Sequence, residues 1–347
     1  MSRVTIKDIA SKLGVSAATV SNALNGKAGV GKARRKNIME IASQMGYQPN
    51  AFARNLVNQQ SYAIGLIVSS ISDPFYPELA RGVQEKASEL GYCMMLFNTN
   101  HSIKVEQNSI ETLNARGVDG IILATVLQDD PNIALLEKLR IPFVLVNRLL
   151  LDPGIASSID SVVLDNYRGG YESARHLLRM GHTRITIIAG NMKASTAILR
   201  TRGARDAMQV YGISEERYDV VDCGYVMETA YRVAKEKLKE KNIPSAFLCQ
   251  GDNMALGVRE AVCEAGMTIP GDIALLGFDD IEFSSVAGIE LTTVSHRQYQ
   301  MGSTGTELLV DKIASERQAG VTKNIVLEPE LIVRKSCGFG VKGYIMP

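Results

Sequence analysis

The sequence predicts an α/β protein: a small all-α head, then a two-subdomain body of parallel sheets flanked by helices. Three observations carry this. Before residue 60 the apolar residues recur only at helical spacings, and from Tyr62 onward short apolar runs alternate with helical stretches. The 347 residues also exceed the ~250–300 at which a single core stops growing, so more than one unit is required. A composition of 46% hydrophobic and 22% charged residues, with 30 Gly and 10 Pro, excludes collagen-like and disordered classes.

Charge separates the two parts. Residues 1–60 hold nine basic side chains (Arg3, Lys7, Lys12, Lys27, Lys32, Arg34, Arg35, Lys36, Arg54) against Asp8 and Glu40, although the whole chain is +1. A basic head on an acidic body points to a polyanion partner for the head alone. The five cysteines (Cys93, Cys223, Cys249, Cys263, Cys337) are an odd set without a CxxC pair, so neither a disulfide framework nor a zinc site is expected. Most lie in apolar runs and read as buried small hydrophobes in a reducing compartment. No apolar run approaches the ~18 residues of a membrane span, and no signal-peptide core opens the chain. The expected location is the cytoplasm.

Each helix of the head has its own pattern. Ile6, Ile9, Ala10 and Leu13 share one helical face that Gly14 stops. Ser16 is placed as the N-cap of a second helix to about Leu24, with Val20, Ala23 and Leu24 inward. Ile38, Ile41, Ala42 and Met45 make a third, ending at Gly46. Helix, tight turn and helix is the arrangement that lays a second helix in the major groove of DNA. Its outward face carries Ala17, Ala18, Ser21 and Asn22; Asn can pair with adenine, and Ala touches only a thymine methyl. A solvated helix face is the plainer alternative. Asn50 can cap a two-turn helix over 50–57, too short to form alone because nucleation is costly; an ordinary linker is the plainer reading.

The run Val4 to Asn25, with Gly46-Tyr47-Gln48-Pro49-Asn50-Ala51 and Ala53-Arg54-Asn55-Leu56, resembles the DNA-reading region of the lactose-repressor and galactose-repressor family. The resemblance implies base readout by Ala17, Ala18 and Asn22, with Thr5, Thr19 and Ser21 near phosphates. It also makes 50–57 a hinge helix whose Asn50, Ala53 and Arg54 face DNA and whose Leu56 wedges between base steps. Asn22 stands where many members carry Arg, and Gly31 where a Ser cap is usual.

In the body, strands are expected over 63–68, 93–97, 120–123, 143–146, 185–189, 246–249 and 273–277, and helices over 77–90, 105–116, 167–180, 199–211, 227–241 and 254–265. Such alternation makes parallel sheets covered on both faces. The body spans 61–338, splits near 157–160, recrosses near 291–325 and leaves 339–347 as a tail. Ligands of these sheets bind beyond the carboxyl ends of the strands, so the cleft between the halves is the expected site.

The family resemblance extends over the body, which is also similar to periplasmic sugar-binding proteins. It is carried by Asp73-Pro74-Phe75-Tyr76, Asn98-Thr99, Val146-Asn147-Arg148, 199–203, 251–257, Gly277-Phe278-Asp279-Asp280 and 291–294. It implies an effector shell of Asp73, Phe75, Tyr76, Asn147, Arg148, Arg200, Tyr225, Asp279 and His296, suited to a polyhydroxylated ring: amides, carboxylates and guanidinium bond hydroxyls while aromatic rings cover apolar faces. Phe75 and Tyr76 also fit a helix-start core, and Asp252 reads better as an N-cap than as a ligand. Gly251 and His296 depart from the usual residues, which leaves the sugar open and a nucleobase admissible.

Catalysis is not expected: no GxGxxG opens a helix after the first strand, and GxxxxGK[ST], GxSxG and HExxH do not occur. His182 reads as a structural turn residue. The alternatives are a stand-alone sugar receptor or an α/β-fold enzyme. The sequence therefore anticipates a DNA-binding regulator, no cofactor or metal, a homodimer on palindromic double-stranded operator DNA, and a small polar effector such as a sugar.

Overall fold

Apolar spacing builds the head's three helices. In the computed structural model, which describes residues 4–24, 28–47, 60–315 and 322–340, α1 is Ile6–Leu13, α2 is Ala17–Leu24 and α3 is Lys32–Gln44. A capping box starts α1: Thr5 Oγ1 accepts from the Asp8 N–H at 3.4 Å, and Asp8 Oδ2 accepts from the Thr5 N–H at 2.8 Å. Gly14 ends it at φ 62°, a conformation that costs residues with a side chain ~1–2 kcal/mol. Ser16 caps α2 by accepting from the Thr19 N–H at 3.1 Å, and α3 starts at Gly31 with no side-chain cap bond. Ile9, Ala10, Val20, Ala23, Ile38 and Ala42 merge into one small buried cluster. The expected hinge residues Asn50, Ala53, Arg54 and Leu56 lie outside the described residues.

The chain divides into two compact units, Met1–Ser61 and Tyr62–Pro347. In the second, the elements run β1 Ala63–Val68, α4 Phe75–Glu89, β2 Cys93–Asn98, α5 Ile103–Ala115, β3 Gly120–Leu123, α6 Asn132–Leu139, β4 Phe143–Val146, α7 Pro153–Ala156 and β5 Ser161–Leu164. Then come α8 Asn166–Arg179, β6 Ile185–Ala189, α9 Ser195–Val210, β7 Tyr218–Asp222, α10 Met227–Lys237, β8 Ala246–Cys249, α11 Asp252–Glu264 and β9 Ala274–Leu276. The last described elements are β10 Thr293–Ser295, α12 Gln298–Ser315, β11 Asn324–Leu327 and β12 Glu330–Ile332.

Two parallel sheets result, with strand orders β11-β5-β4-β3-β1-β2 and β7-β6-β8-β9. Inner strands β1, β3, β4 and β5 are buried along their whole length, because helices cover both faces of the sheet; separate apolar clusters lie on its two sides. The second sheet has the same two-sided core. In each sheet the strand order reverses, between β1 and β3 and between β6 and β8, and such reversals open a crevice at the carboxyl ends.

Because β5 pairs in parallel with both β4 and β11, the chain leaves the first subdomain after Leu164. That is beyond 157–160, where the sequence places the split. Four buried residues, Ser-Val-Val-Leu, show no alternation to mark a strand. The chain recrosses between β9 and α12 and again after β11, while β10 and β12 pair antiparallel between the subdomains. Edge strand β7 and helices α6 and α12 were also absent from the sequence expectation.

Glycines place the helix pairs that carry the site. A Cβ on Gly170 of α8 would fall 2.1 Å from the Arg200 carbonyl oxygen, and one on Gly203 of α9 would fall 2.0 Å from the Tyr167 oxygen. The two helices therefore touch backbone to backbone, which sets the depth of Arg200.

Candidate functional site

The carboxyl-end turns deliver their side chains to one cavity. The turn from β1 into α4 supplies Asp73, Phe75 and Tyr76, and the end of β4 supplies Asn147 and Arg148; these come from the first subdomain. From the other side come Arg200 on α9, Tyr225 after β7, Asp279 after β9 and His296 after β10. All nine effector candidates line this cavity. His101, three residues past β2, and Thr196, in the first turn of α9, line it too and are not among the residues the resemblance implies. Phe75 and Tyr76 are both core residues at a helix start and wall of the cavity, each 4% exposed.

Backbone strain concentrates here. Among the described residues ten non-glycine residues have positive φ, and His101 (61°), Asn147 (70°), Tyr225 (65°) and Asp279 (112°) are lining residues. Such conformations cost ~1–3 kcal/mol each and persist where the surroundings over-determine them, commonly at ligand sites.

Three buried polar atoms at the cavity have no hydrogen-bond partner: Asn147 Oδ1, Arg148 Nε and His296 Nε2. Buried polar atoms left unpaired cost about 1–3 kcal/mol. His296 Nδ1 lies 2.8 Å from Asp279 Oδ1 and 3.1 Å from Arg200 Nη2. The tautomer sets whether Nδ1 accepts from the Arg200 N–H or donates to Asp279, and Nε2 takes the opposite role. Burial holds His296 neutral, well below its ordinary pKa. Burial likewise pushes the Asp279 carboxyl up to about 7, opposed by Arg200. Asp73 rises to about 6 through burial and then through Asp279.

Arg200 is held from several directions. Its Nε donates to Asn166 Oδ1 at 2.8 Å and its Nη1 to the Gln250 carbonyl at 2.6 Å, while its guanidinium stacks 3.6 Å from the centre of the Phe278 ring. Asn166 and Gln250 were not foreseen; polar residues at strand ends could have flagged them. Asp252 is a correction. Gly251 is the N-cap of α11, and Asp252 sits fully buried inside the first turn. Its carboxylate accepts from Ile281 N–H (3.1 Å), Ser284 Oγ (2.7 Å) and Thr293 Oγ1 (2.7 Å), tying the turn after β9 to β10.

In the head, Ala17 and Ala18 are exposed on α2, with Thr19, Ser21 and Asn22 partly exposed. Thr5 and Thr19 both serve caps: the Thr19 hydroxyl lies 2.8 Å from Ser16 Oγ, and the Thr5 hydroxyl donates to Asp8 at 2.7 Å. His182 is buried 3.2 Å from Ser245 Oγ. Cys223, Cys249 and Cys337 are buried, whereas Cys93 and Cys263 are exposed. Among the described residues no helix is long and apolar enough to cross a membrane.

Residues 61–329 match the family described as periplasmic binding proteins and sugar binding domain of LacI family, and residues 5–50 match bacterial regulatory proteins of the lacI family. The chain belongs to the LacI family. It is a DNA-binding transcription regulator of that family. The HTH-type transcriptional regulator DegA of Bacillus subtilis (strain 168) is 33% identical over 96% of this chain and 98% of its own length. The HTH-type transcriptional repressor PurR of Haemophilus influenzae (strain PittEE) is 30% identical over 96% and 98%. Among solved LacI-family structures, the lac repressor dimer bound to operator and the anti-inducer ONPF has a TM-score of 0.86 at 26% identity, covering 97% of this chain and 99% of that one. The transcriptional regulator CelR–cellobiose complex has a TM-score of 0.72 at 28% identity, covering 96% and 100%.

Proposed function

We propose that this LacI-family chain is a repressor whose grip on a palindromic operator is set by a small polyhydroxylated effector bound between the two subdomains. One observation carries the reading: buried unpartnered atoms of opposite character, the acceptor Asn147 Oδ1 and the donor Arg148 Nε, converge with His296 Nε2 on a cavity walled by Phe75, Tyr76 and Tyr225. A ring bearing hydroxyls satisfies acceptor and donor together and lays its apolar faces on the aromatic side chains. Asp73, Arg200 and Asp279 complete the shell.

The head, 1–60, reads DNA through Ala17, Ala18 and Asn22, with Thr5, Thr19 and Ser21 near phosphates and Asn50, Ala53, Arg54 and Leu56 in a hinge; 61–338 form the effector body. A homodimer follows from the short reading helix, which spans too few base pairs to be selective alone. The lac repressor dimer bound to operator supports that assembly. The reading places the protein in the cytoplasm and assigns it no enzymatic turnover, since Asp279, His296 and Arg200 are committed to one another.

The test is to select an operator from random duplex DNA, then titrate the complex in gel shifts with sugars, sugar phosphates and nucleobases. A symmetric selected site whose occupancy changes with a sugar is expected. A shift by nucleobases alone overturns the sugar assignment, and selection of a single asymmetric half-site overturns the dimer.

A further inference from the structure

Two backbone N–H groups of the first subdomain end on acceptors of the second. The Gln128 N–H, after β3, donates to the Lys193 carbonyl at 2.9 Å, and the Leu149 N–H, after β4, donates to Ser195 Oγ at 3.0 Å. Lys193 follows β6 and Ser195 opens α9. These bonds stand at the rim of the effector cavity: Leu149 follows the lining residue Arg148, and Ser195 precedes the lining residue Thr196 on the opposite wall. Beside them the Arg148 guanidinium lies 5.7 Å from the centre of the Tyr225 ring, again from wall to wall.

Gln128 organises the first subdomain's half of this contact. Its Nε2 donates to the Leu149 carbonyl at 3.0 Å, and its Oε1 accepts from the Leu151 N–H at 2.8 Å. One side chain thus grips the turn after β4 on both sides of Leu150, which is itself buried in the apolar cluster beneath, and the Leu149 N–H is left aimed at α9. On the other side Ser195 is 1% exposed, and Ala194 caps α9 without a side-chain bond. The Ser195 hydroxyl therefore serves the opposite subdomain. Water replaces such bonds when a cleft opens, so each shifts the equilibrium only severalfold; together they favour closure without locking it.

We propose that Gln128, Leu149, Lys193 and Ser195 form a latch that holds the two subdomains shut over the effector cavity, with the Gln128 side chain as the part on which it depends. The latch goes beyond the effector reading and is the same whichever molecule fills the cavity.

Amide hydrogen exchange on the full chain, read residue by residue by NMR, tests it, because the Gln128 and Leu149 amides have acceptors only while the subdomains are shut. Both should exchange slowly and with a common opening equilibrium. Ser195→Ala removes one bond and Gln128→Ala removes the brace, and each should speed both amides about fivefold or more while the amides of β1 and β6 keep their protection. Thermal melts by circular dichroism identify a variant that fails to fold, in which case the other decides. Gln128 and Leu149 amides that exchange as fast as those of open loops overturn the latch. So does a Ser195→Ala chain in which Leu149 alone changes, since the contacts are then separate and local.

Discussion

Replacing Gly190 with Ala should remove effector binding without unfolding the body. Gly190 follows β6, and a Cβ placed there would lie 2.0 Å from Tyr225 Cζ and 2.2 and 2.4 Å from its ring neighbours. No real contact is that short, so the ring must leave. Tyr225 is half-buried and can swing toward solvent, which keeps the folding cost near the low end of the ~1–3 kcal/mol typical of overpacking. Departure breaks the 2.7 Å bond between Tyr225 Oη and Thr196 Oγ1, worth about 0.5–1.5 kcal/mol. It also strips an aromatic wall from the cavity, with a similar loss for a stacked ligand. Together these come to roughly 2 kcal/mol, or about thirtyfold in affinity. Calorimetry with whichever effector releases operator DNA, paired with thermal melts, reads both quantities. Affinity within threefold of the unmodified chain would refute the placement of Tyr225 against the ligand.

Other perturbations separate the parts of the molecule. Arg200→Ala removes bonds to Asn166 and Gln250 and leaves Asp279 buried without its cation, so a loss of about 3–5 kcal/mol is expected in urea unfolding; unchanged stability would make Arg200 a ligand contact alone. Leu56→Ala should weaken operator binding severely in gel shifts while calorimetric effector affinity holds, and equal losses of both would point to a folding role for Leu56. Stability should fall as pH rises from 7 to 8.5, because folded Asp252, near 8, and the last protonated fraction of Asp279 and Glu106, near 7, hold protons that the unfolded carboxyls have already released. The buried histidines act only below the unfolded histidine pKa of ~6.5, where their depressed values make stability rise with pH. Melting temperatures that stay flat or rise over 7–8.5 would contradict the assignment.

Periodicity alone located most elements of both units, since a face that must be buried writes itself into spacing: Ile9, Val20 and Ile38 in the head, and the apolar runs of β1, β3, β6 and β8 in the body. Strand ends pointed to the cleft, because parallel sheets direct their carboxyl-end turns to one edge, while the individual lining residues came from the family resemblance. Spacing could not reveal β5, whose four residues are buried on both faces and show no alternation, or edge strand β7. It could not separate capping from buried bracing at Asp252, since both roles place a carboxylate at a helix start and only the fold brings Ser284 and Thr293 to it. The tertiary structure alone decided that Arg200 is clamped between Asn166, Gln250 and Phe278, and that Asn147 Oδ1, Arg148 Nε and His296 Nε2 end without partners. Local sequence sets which way a side chain leaves its own backbone, whereas the partner it meets arrives from residues scores of positions away.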